Sequence, residues 1–359
     1  MHDRLAELEE PRRIIQIAYG SARDASSDHS AMIAQASNPS AETPWLSVVM
    51  PVYNGERYLA AALEGVVAQG DAAHDVEIIA VDDGSSDGSG SILEAFSRRV
   101  NLRVLRPGRL GNWVAATNLG LSAGTAPWCS FLHQDDRWLP GRLAAVKRAI
   151  VEHPQVSFVV HPSWFIDSWG QRVGKWRTPF SSRQRLIMGH EFRERLLVQN
   201  NFAILAPTFR RDRALETGGL DASLPFTADW DLWLRMGEEG PVAQCGEPLG
   251  EFRIHGAAQT AAFPPGGMRS DYTRVFERHR VGRGGRPGAS GPAVATGRYS
   301  IEVNVALADW FHGGRPPLLP LISGGLRLGP LGWWRYLRDS RIVDRAAARV
   351  RAGLNRRQA

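Results

Sequence analysis

Apolar and polar positions first fall into a regular pattern at Leu46. The run Leu46-Ser-Val-Val-Met-Pro-Val52 is apolar and rich in β-branched residues, and Tyr53-Asn54-Gly55 follows as a turn, so a buried strand is expected. In residues 58–69, Leu59, Ala62, Leu63, Val66 and Val67 recur at the three-and-four spacing of one helical face, closed by Gly70-Asp71. The pattern then repeats. Residues 76–81 read as a strand ending in Asp82-Asp83-Gly84-Ser85-Ser86-Asp87, 91–99 as a helix, 102–105 as a strand and 111–122 as a helix. A short apolar run from Trp128, a helix over 139–153 and a strand over 156–160 continue the series. Such alternation builds a mostly parallel sheet with helices on its faces.

Beyond this point the periodicity weakens. Residues 163–182 are irregular and tryptophan-rich and read as loops around a pocket. A helix is expected over 190–198, an extended segment over 204–209, and a short helix over 211–218 closed by glycine. A helix with an acidic first turn then starts at Asp229, and a last strand covers 251–255. These signals confine the folded domain to 45–262. Residues 1–44, dominated by small polar side chains, are expected to be a poorly ordered leader. Residues 263–298, Gly-, Pro- and Arg-rich over 281–297, are expected to be a flexible linker, and 299–359 a basic C-terminal extension.

Composition narrows the function classes. The chain has 359 residues, 43% hydrophobic and 22% charged, with a net charge of +6. Its arginines crowd toward the carboxyl end, which argues against an evenly basic nucleic-acid binder. Cys129 and Cys245 have neither metal-site nor disulfide-framework spacing, as befits a reducing cytoplasm. The first ten residues include Asp3, Glu7, Glu9 and Glu10, so no secretion signal is expected. No apolar run reaches the roughly 18 residues of a membrane span, because Gly324, Gly325, Arg327 and Pro330 interrupt the region after Leu318. Trp333, Trp334 and Tyr336 among Arg327, Arg335, Arg338 and Arg341 suit peripheral contact with the inner face of the plasma membrane; a basic amphipathic helix packed on the domain accounts for them equally well.

The first strand–helix turn, Pro51-Val-Tyr-Asn-Gly-Glu56, lacks the glycine fingerprint of a dinucleotide-binding domain, and no Gly-x-x-x-x-Gly-Lys loop exists. Phosphates, if bound, call for a cation held by carboxylates. Asp135 and Asp136 stand just past a strand end, where successive side chains point apart. Taken alone they are a solvated turn. Asp83, Ser85, Asp87, Gly88 and Glu94 fall at calcium-loop positions, but the preceding segment reads as a strand and Gly90 stands where an apolar residue belongs. An EF-hand is rejected.

Four stretches in order, Leu46 to Tyr53, Asp82 to Asp87, His133-Gln-Asp135-Asp136 and Ala228-Asp229-Trp-Asp-Leu-Trp-Leu-Arg235, resemble the family 2 inverting glycosyltransferases across residues 46–259. The resemblance implies the GT-A fold: a single Rossmann-like α/β domain that binds a nucleotide sugar on a mostly parallel central sheet, here followed by a helical or irregular C-terminal extension. Pro51, Tyr53 and Asp83 match positions that hold the donor's base and ribose, with Asp82 alongside. Asp135 and Asp136 match the metal and ribose-phosphate carboxylates, Asp136 being the first choice for the metal and Asp135 for a supporting contact. His133 stands where many members carry an acid. Asp229 matches the general base, although Ala228 replaces the usual preceding glutamate, and His255 matches a histidine that approaches the diphosphate or metal.

The implied partners are a nucleotide diphosphate sugar donor, Mg²⁺ or Mn²⁺, and a saccharide or lipid-linked acceptor, with no nucleic acid, in bacterial cell-surface polysaccharide synthesis. Without the resemblance, Asp229 and Asp231 are only the acidic first turn of a helix; with it, Asp231 caps or orients. Trp230 is core or a sugar platform, Trp233 core, and His161 carries no assignment. A nucleotidyltransferase also uses paired carboxylates and a cation but attacks phosphorus. A non-catalytic nucleotide-sugar-binding scaffold would not need Asp229, and a glycoside hydrolase would not need Asp83 with Asp135-Asp136.

Overall fold

The computed structural model describes residues 43–238, 240–256, 258, 263–282 and 288–357; all but the last two residues of the expected leader lie outside them. In chain order the elements are β1 (Leu46–Val52), α1 (Glu56–Val67), β2 (Val76–Asp82), α2 (Ser89–Ser97), β3 (Leu102–Leu105), α3 (Trp113–Ala123), β4 (Trp128–Phe131), β5 (Arg137–Trp138), α4 (Arg142–Glu152) and β6 (Phe158–Val160). They continue with β7 (Ser163–Ile166), β8 (Arg172–Trp176), β9 (Leu186–Ile187), α5 (Gly189–Leu196), β10 (Thr208–Arg210), α6 (Arg211–Glu216), α7 (Ala228–Glu238), β11 (Val242–Gln244) and β12 (Gly250–Arg253). The helices α8 (Pro265–Arg280), α9 (Gly291–Phe311), α10 (Leu318–Ser340) and α11 (Ile342–Arg357) follow.

Among the described residues the main sheet has eight strands in the order β3-β2-β1-β4-β10-β6-β11-β9. β3, β2, β1 and β4 run parallel, β10 is antiparallel to both its neighbours, β11 is parallel to β6, and β9 returns antiparallel. Every residue of β1, β2 and β4 is buried, which is why their sequences are apolar runs without alternation. Inside β2, which ends in Asp82, Glu77 is the charged residue. Its carboxylate accepts from Ser47 Oγ (2.6 Å), Thr125 Oγ1 (2.8 Å) and the Ala126 N–H (3.0 Å), tying the entrances of three strands together.

Residues 163–182, expected as loops, hold the β7–β8 hairpin of a second sheet ordered β5-β12-β7-β8. The strands are short, and tryptophans at Trp164 and Trp176 blur any two-residue alternation; the Phe165 ring stacks on Trp176 at 4.7 Å. The expected linker is corrected as well. Within 263–298 only 283–287 lie outside the described residues, and α8 buries Met268, Tyr272, Val275 and Phe276 on one face. α9 begins with Ser290 accepting the Ala293 N–H at 3.3 Å and has proline in its first turn. Its Gly297 serves close approach: a Cβ there would meet the Phe276 ring at 2.6 Å. Small residues that look like flexibility in the sequence are contact points between helices.

α10 is broken at Gly329 (φ 63°), just before Pro330. α11 packs on the second sheet through Ala348 and Ala352 against Phe165 and Val173, and Gly174 leaves only enough room for Ala348. No described helix is long and apolar enough to cross a membrane.

Candidate active site

Strand order reverses around β1, whose neighbours are β2 on one side and β4 on the other, and such reversals leave a crevice beyond the carboxyl ends of the strands. A cleft of about 960 Å³ opens there. Pro51, Tyr53, Asp83, Asp135, Asp229 and His255 all line it, whereas Asp82 and Asp136 do not.

At one end Asp83 leaves β2 and organises the loop before α3. Its carboxylate accepts the N–H groups of Leu110 and Gly111 and pairs with the Arg109 guanidinium, which lies over the Tyr53 ring at 3.6 Å. Gly84 (φ 74°) makes the turn beneath Arg109. The Gln134 side-chain amide pairs with the main chain of Tyr53, N–H to Oε1 at 2.9 Å and Nε2 to the carbonyl at 3.1 Å, coupling the loops after β1 and β4. Arg109 and Gln134 were not anticipated. Gly108 and Gly111, both at positive φ, were the available sign that the chain around Arg109 is specially shaped.

The calcium-like residues hold the first two turns together instead. Asp87 accepts the N–H groups of Glu56 and Ser89, both at 3.0 Å, and Glu56 accepts that of Gly88 at 2.9 Å. Asp82, expected beside the donor, accepts the Ser85 N–H at 2.9 Å and faces Arg106, so it shapes the turn from outside the cleft.

Asp135 and Asp136 do diverge, and it is Asp135, not the Asp136 expected to hold the metal, that faces the cleft. Asp136 points inward at 1% exposure, and its Oδ1 accepts the Arg253 N–H of β12 at 3.0 Å. Burial and then the neighbouring Asp135 charge push its carboxyl well above the usual range. The first choice for the metal is therefore a buried brace between β4 and β12. Asp135 takes the cleft-facing place, its Oδ2 2.8 Å from His255 Nε2. Among the described residues no group of three or more His, Cys, Asp or Glu converges on one point. The Asp135 carboxylate is the hard oxygen donor that Mg²⁺ and Mn²⁺ take, and His255 adds a nitrogen beside it that suits Mn²⁺ better than Mg²⁺, so this pair would fit a cation that completes its shell with phosphate oxygens and water.

Asp229 sits in the first turn of α7. Its Oδ1 accepts the Trp230 N–H and its Oδ2 the Asn200 amide, both at 2.8 Å, and burial lifts its carboxyl to about 6. Asp231, roughly 200° further round the helix, points into the core at 0% exposure. It accepts from Arg235 (2.9 Å), Arg278 (3.0 Å) and His279 (2.8 Å). Burial alone would raise its carboxyl; the His279 hydrogen bond and the two arginine charges hold it at about 2. Asp231 thus orients the helix by anchoring it. Trp230 and Trp233, at 1% and 0% exposure, are both core, and Trp230 Nε1 donates to the Leu196 carbonyl at 2.8 Å. His161 is buried too. Its Nδ1 donates to the Pro162 carbonyl (2.7 Å) and its Nε2 accepts from Arg142 (3.2 Å), a structural role.

The far wall comes from the segments expected as linker and C-terminal extension: Tyr272 of α8, Asn304 and Leu307 of α9, and Arg345 and Arg349 of α11.

The family model described as Glycosyl transferase family 2 matches residues 47–213. An uncharacterized protein of Mycobacterium tuberculosis is 30% identical over 247 residues, 66% of this chain and 74% of that protein. S. aureus TarS 1-349 in complex with UDP-GlcNAc superposes with a TM-score of 0.54 at 15% identity, over 87% of this chain and 92% of that one. The mannosyltransferase PcManGT from Pyrobaculum calidifontis, in complex with GDP-Man and Mn²⁺, does so with a TM-score of 0.51 at 15% identity, over 87% of each chain. The likeness is one of fold, GT-A, with a mostly parallel central sheet and a helical C-terminal region.

Proposed function

The chain belongs to glycosyl transferase family 2, and from that premise we propose that it transfers a sugar from a nucleotide diphosphate donor to a hydroxyl of a saccharide or lipid-linked acceptor, with inversion at the anomeric carbon. The observation that carries this reading is Asp229, a half-buried carboxylate whose desolvation lifts it to about 6, facing the same cleft as Asp83 and Asp135. In this reading Tyr53 and the Asp83–Arg109 loop receive the nucleoside, and Asp135 and His255 receive the diphosphate. A Mg²⁺ or Mn²⁺ bound by those two would stabilise charge on the leaving oxygen as a Lewis acid. The acceptor oxygen attacks C1 from the face opposite the leaving group: the new C1–O bond forms as the C1–O bond to the diphosphate breaks. Asp229 accepts the hydroxyl proton. A single displacement inverts the centre. The complexes of TarS with UDP-GlcNAc and of PcManGT with GDP-Man and Mn²⁺ support the donor class and the cation. The place in bacterial surface-polysaccharide synthesis rests on family resemblance.

The test is a thermal-shift series with UDP-, TDP- and GDP-sugars, with and without Mn²⁺, followed by product analysis. At least one donor is expected to raise Tm, because it binds only the folded chain, and turnover with an acceptor is expected to release a nucleoside diphosphate. No shift with any donor would sink the reading, and release of a nucleoside monophosphate or pyrophosphate would favour nucleotidyl transfer. Because the ionised base is the active form, kcat/KM is expected to rise with pH through about 6 and level off above it.

Peripheral membrane contact at the inner face of the plasma membrane, through α10, belongs to the same proposal. Leu319 (80% exposed) and Leu326 (76%) before the break at Gly329, and Leu331 (83%) and Trp334 (60%) after it, leave apolar side chains uncovered among the described residues. Arg335 and Arg338 are engaged by Glu194 and Asp339, so apolar burial outweighs attraction to anionic lipid. Flotation with phosphatidylcholine vesicles is expected to succeed at high salt and to fail for L326D/L331D. Equal flotation of that variant would remove α10 from the contact.

A further inference from the structure

We propose that Arg345 and Arg349 of α11 form a seat for an anionic group, a phosphate or a carboxylate, carried by the acceptor. The inference rests on the glycosyl-transfer reading for the word acceptor, and on the wall of the cleft for the rest. Both arginines line the cleft. Arg345 is 8% exposed; its Nη2 donates to Asn304 Oδ1 at 2.9 Å, a neutral partner, and its Nη1 is buried with no hydrogen-bond partner. Arg349, one turn along, makes a single side-chain hydrogen bond among the described residues, a long one of 3.4 Å to the Arg345 carbonyl of its own helix. Neither forms a salt bridge among those residues, whereas Arg235, Arg278 and Arg335 each meet a carboxylate.

Two guanidinium groups brought together in a partly dry wall repel each other. Burial and the adjacent Arg345 charge accordingly bring Arg349 down to about 10. An oxyanion in the cleft offsets that repulsion, and the planar fork of arginine matches phosphate and carboxylate in a bidentate manner. The helix is held for this task. Arg351 donates to the Val173 carbonyl at 2.9 Å and Asn355 to Asp167 at 2.7 Å, both on the side that packs against the second sheet.

The position favours the acceptor over the donor. Tyr272 lines the cleft together with the two arginines; its ring packs edge-on against Trp230 at 5.7 Å, and Trp230 follows Asp229 in the chain. The place assigned to the donor diphosphate, Asp135 with His255, lies instead at the ends of β4 and β12.

The experiment titrates the full-length chain by thermal shift with mannose 6-phosphate, with mannose and with UDP, in the wild type and in Arg349→Gln. That side chain holds nothing beyond its own helix, so its replacement leaves the fold in place. The sugar phosphate is expected to raise the wild-type Tm saturably and mannose not to. Arg349→Gln is expected to weaken the sugar phosphate by roughly tenfold or more, the loss of one charge-assisted hydrogen bond, with UDP affinity unchanged. The proposal is overturned if the sugar phosphate gives no shift in the wild type, or if the variant binds it equally well. It is also overturned if UDP weakens in parallel, since the arginines would then hold the donor diphosphate. Failure of UDP to bind the wild type strikes the donor reading alone, because the sugar-phosphate arm still reports on the seat.

Discussion

Asp229→Asn is expected to lower kcat by about 10²–10⁴-fold, the contribution of a positioned general base, while donor affinity and Tm stay at wild-type values. Asparagine has nearly the same shape and keeps an oxygen that can accept the Trp230 N–H, so the first turn of α7 is preserved. It cannot take a proton at neutral pH. Burial already makes the ionised carboxylate costly in the folded chain, hence its lift to about 6, so removing the charge does not destabilise the fold. The residual activity is expected to lose the rise through pH 6. Measurement requires kcat at saturating donor together with a donor titration by thermal shift. A variant that turns over normally with donor bound would move the base elsewhere.

Asp231→Asn, two residues along the same helix, is expected to do the opposite. It should destabilise the fold by about 3–5 kcal/mol, the usual effect of breaking one side of a buried ionic network, and leave turnover per folded molecule intact. Arg235, Arg278 and His279 all converge on this carboxylate at a fully buried point, and asparagine removes the charge that the two arginines meet there. The sign of the pH effect follows from the depressed pKa. Asp231 titrates at about 2 in the folded chain and near 3.8 when unfolded, so its contribution is complete above about 4 and disappears as pH falls from 3.8 toward 2. Urea unfolding at pH 7 and at pH 3 should show the difference between wild type and variant shrinking at the lower pH. A variant as stable as the wild type at pH 7 would show that the network contributes nothing.

The contrast between these aspartates marks how far the sequence could be read. The alternation from Leu46 to Val160 gave the sheet and its helices because a strand buried on both faces is an unbroken apolar run. Asp83, Asp135, Asp229 and His255 were legible as a set, and the structure brings them to one cleft. What adjacency could not tell was direction. Asp136 turns inward to accept the Arg253 N–H, 117 residues away in β12, while Asp135 faces the cleft beside His255. Asp82 looked like Asp83 for the same reason. Arg109, Asn200, Arg345 and Arg349 carry no local motif; each acquires its role from partners that only tertiary packing supplies. The supposed linker failed on composition. Glycine and alanine at Gly297 and Ala293 mark close helix packing as readily as a flexible tether, and only the partner, Phe276, tells the two apart.

The anchoring of α7 to α8 through Asp231, Arg278 and His279 also governs traffic through the cleft. Asp229 rides on one helix and Tyr272 on the other, so the proposed base and this part of the far wall are tied together. Separating them breaks two buried charge-assisted hydrogen bonds together, an opening far too costly to accompany each turnover. The loop around Arg109 is the contrasting case: two glycines at positive φ flank it, and it is fastened chiefly by the single carboxylate of Asp83. On the proposed function, exchange of spent nucleotide for fresh is expected on that side, with the acceptor side keeping its shape from one catalytic cycle to the next.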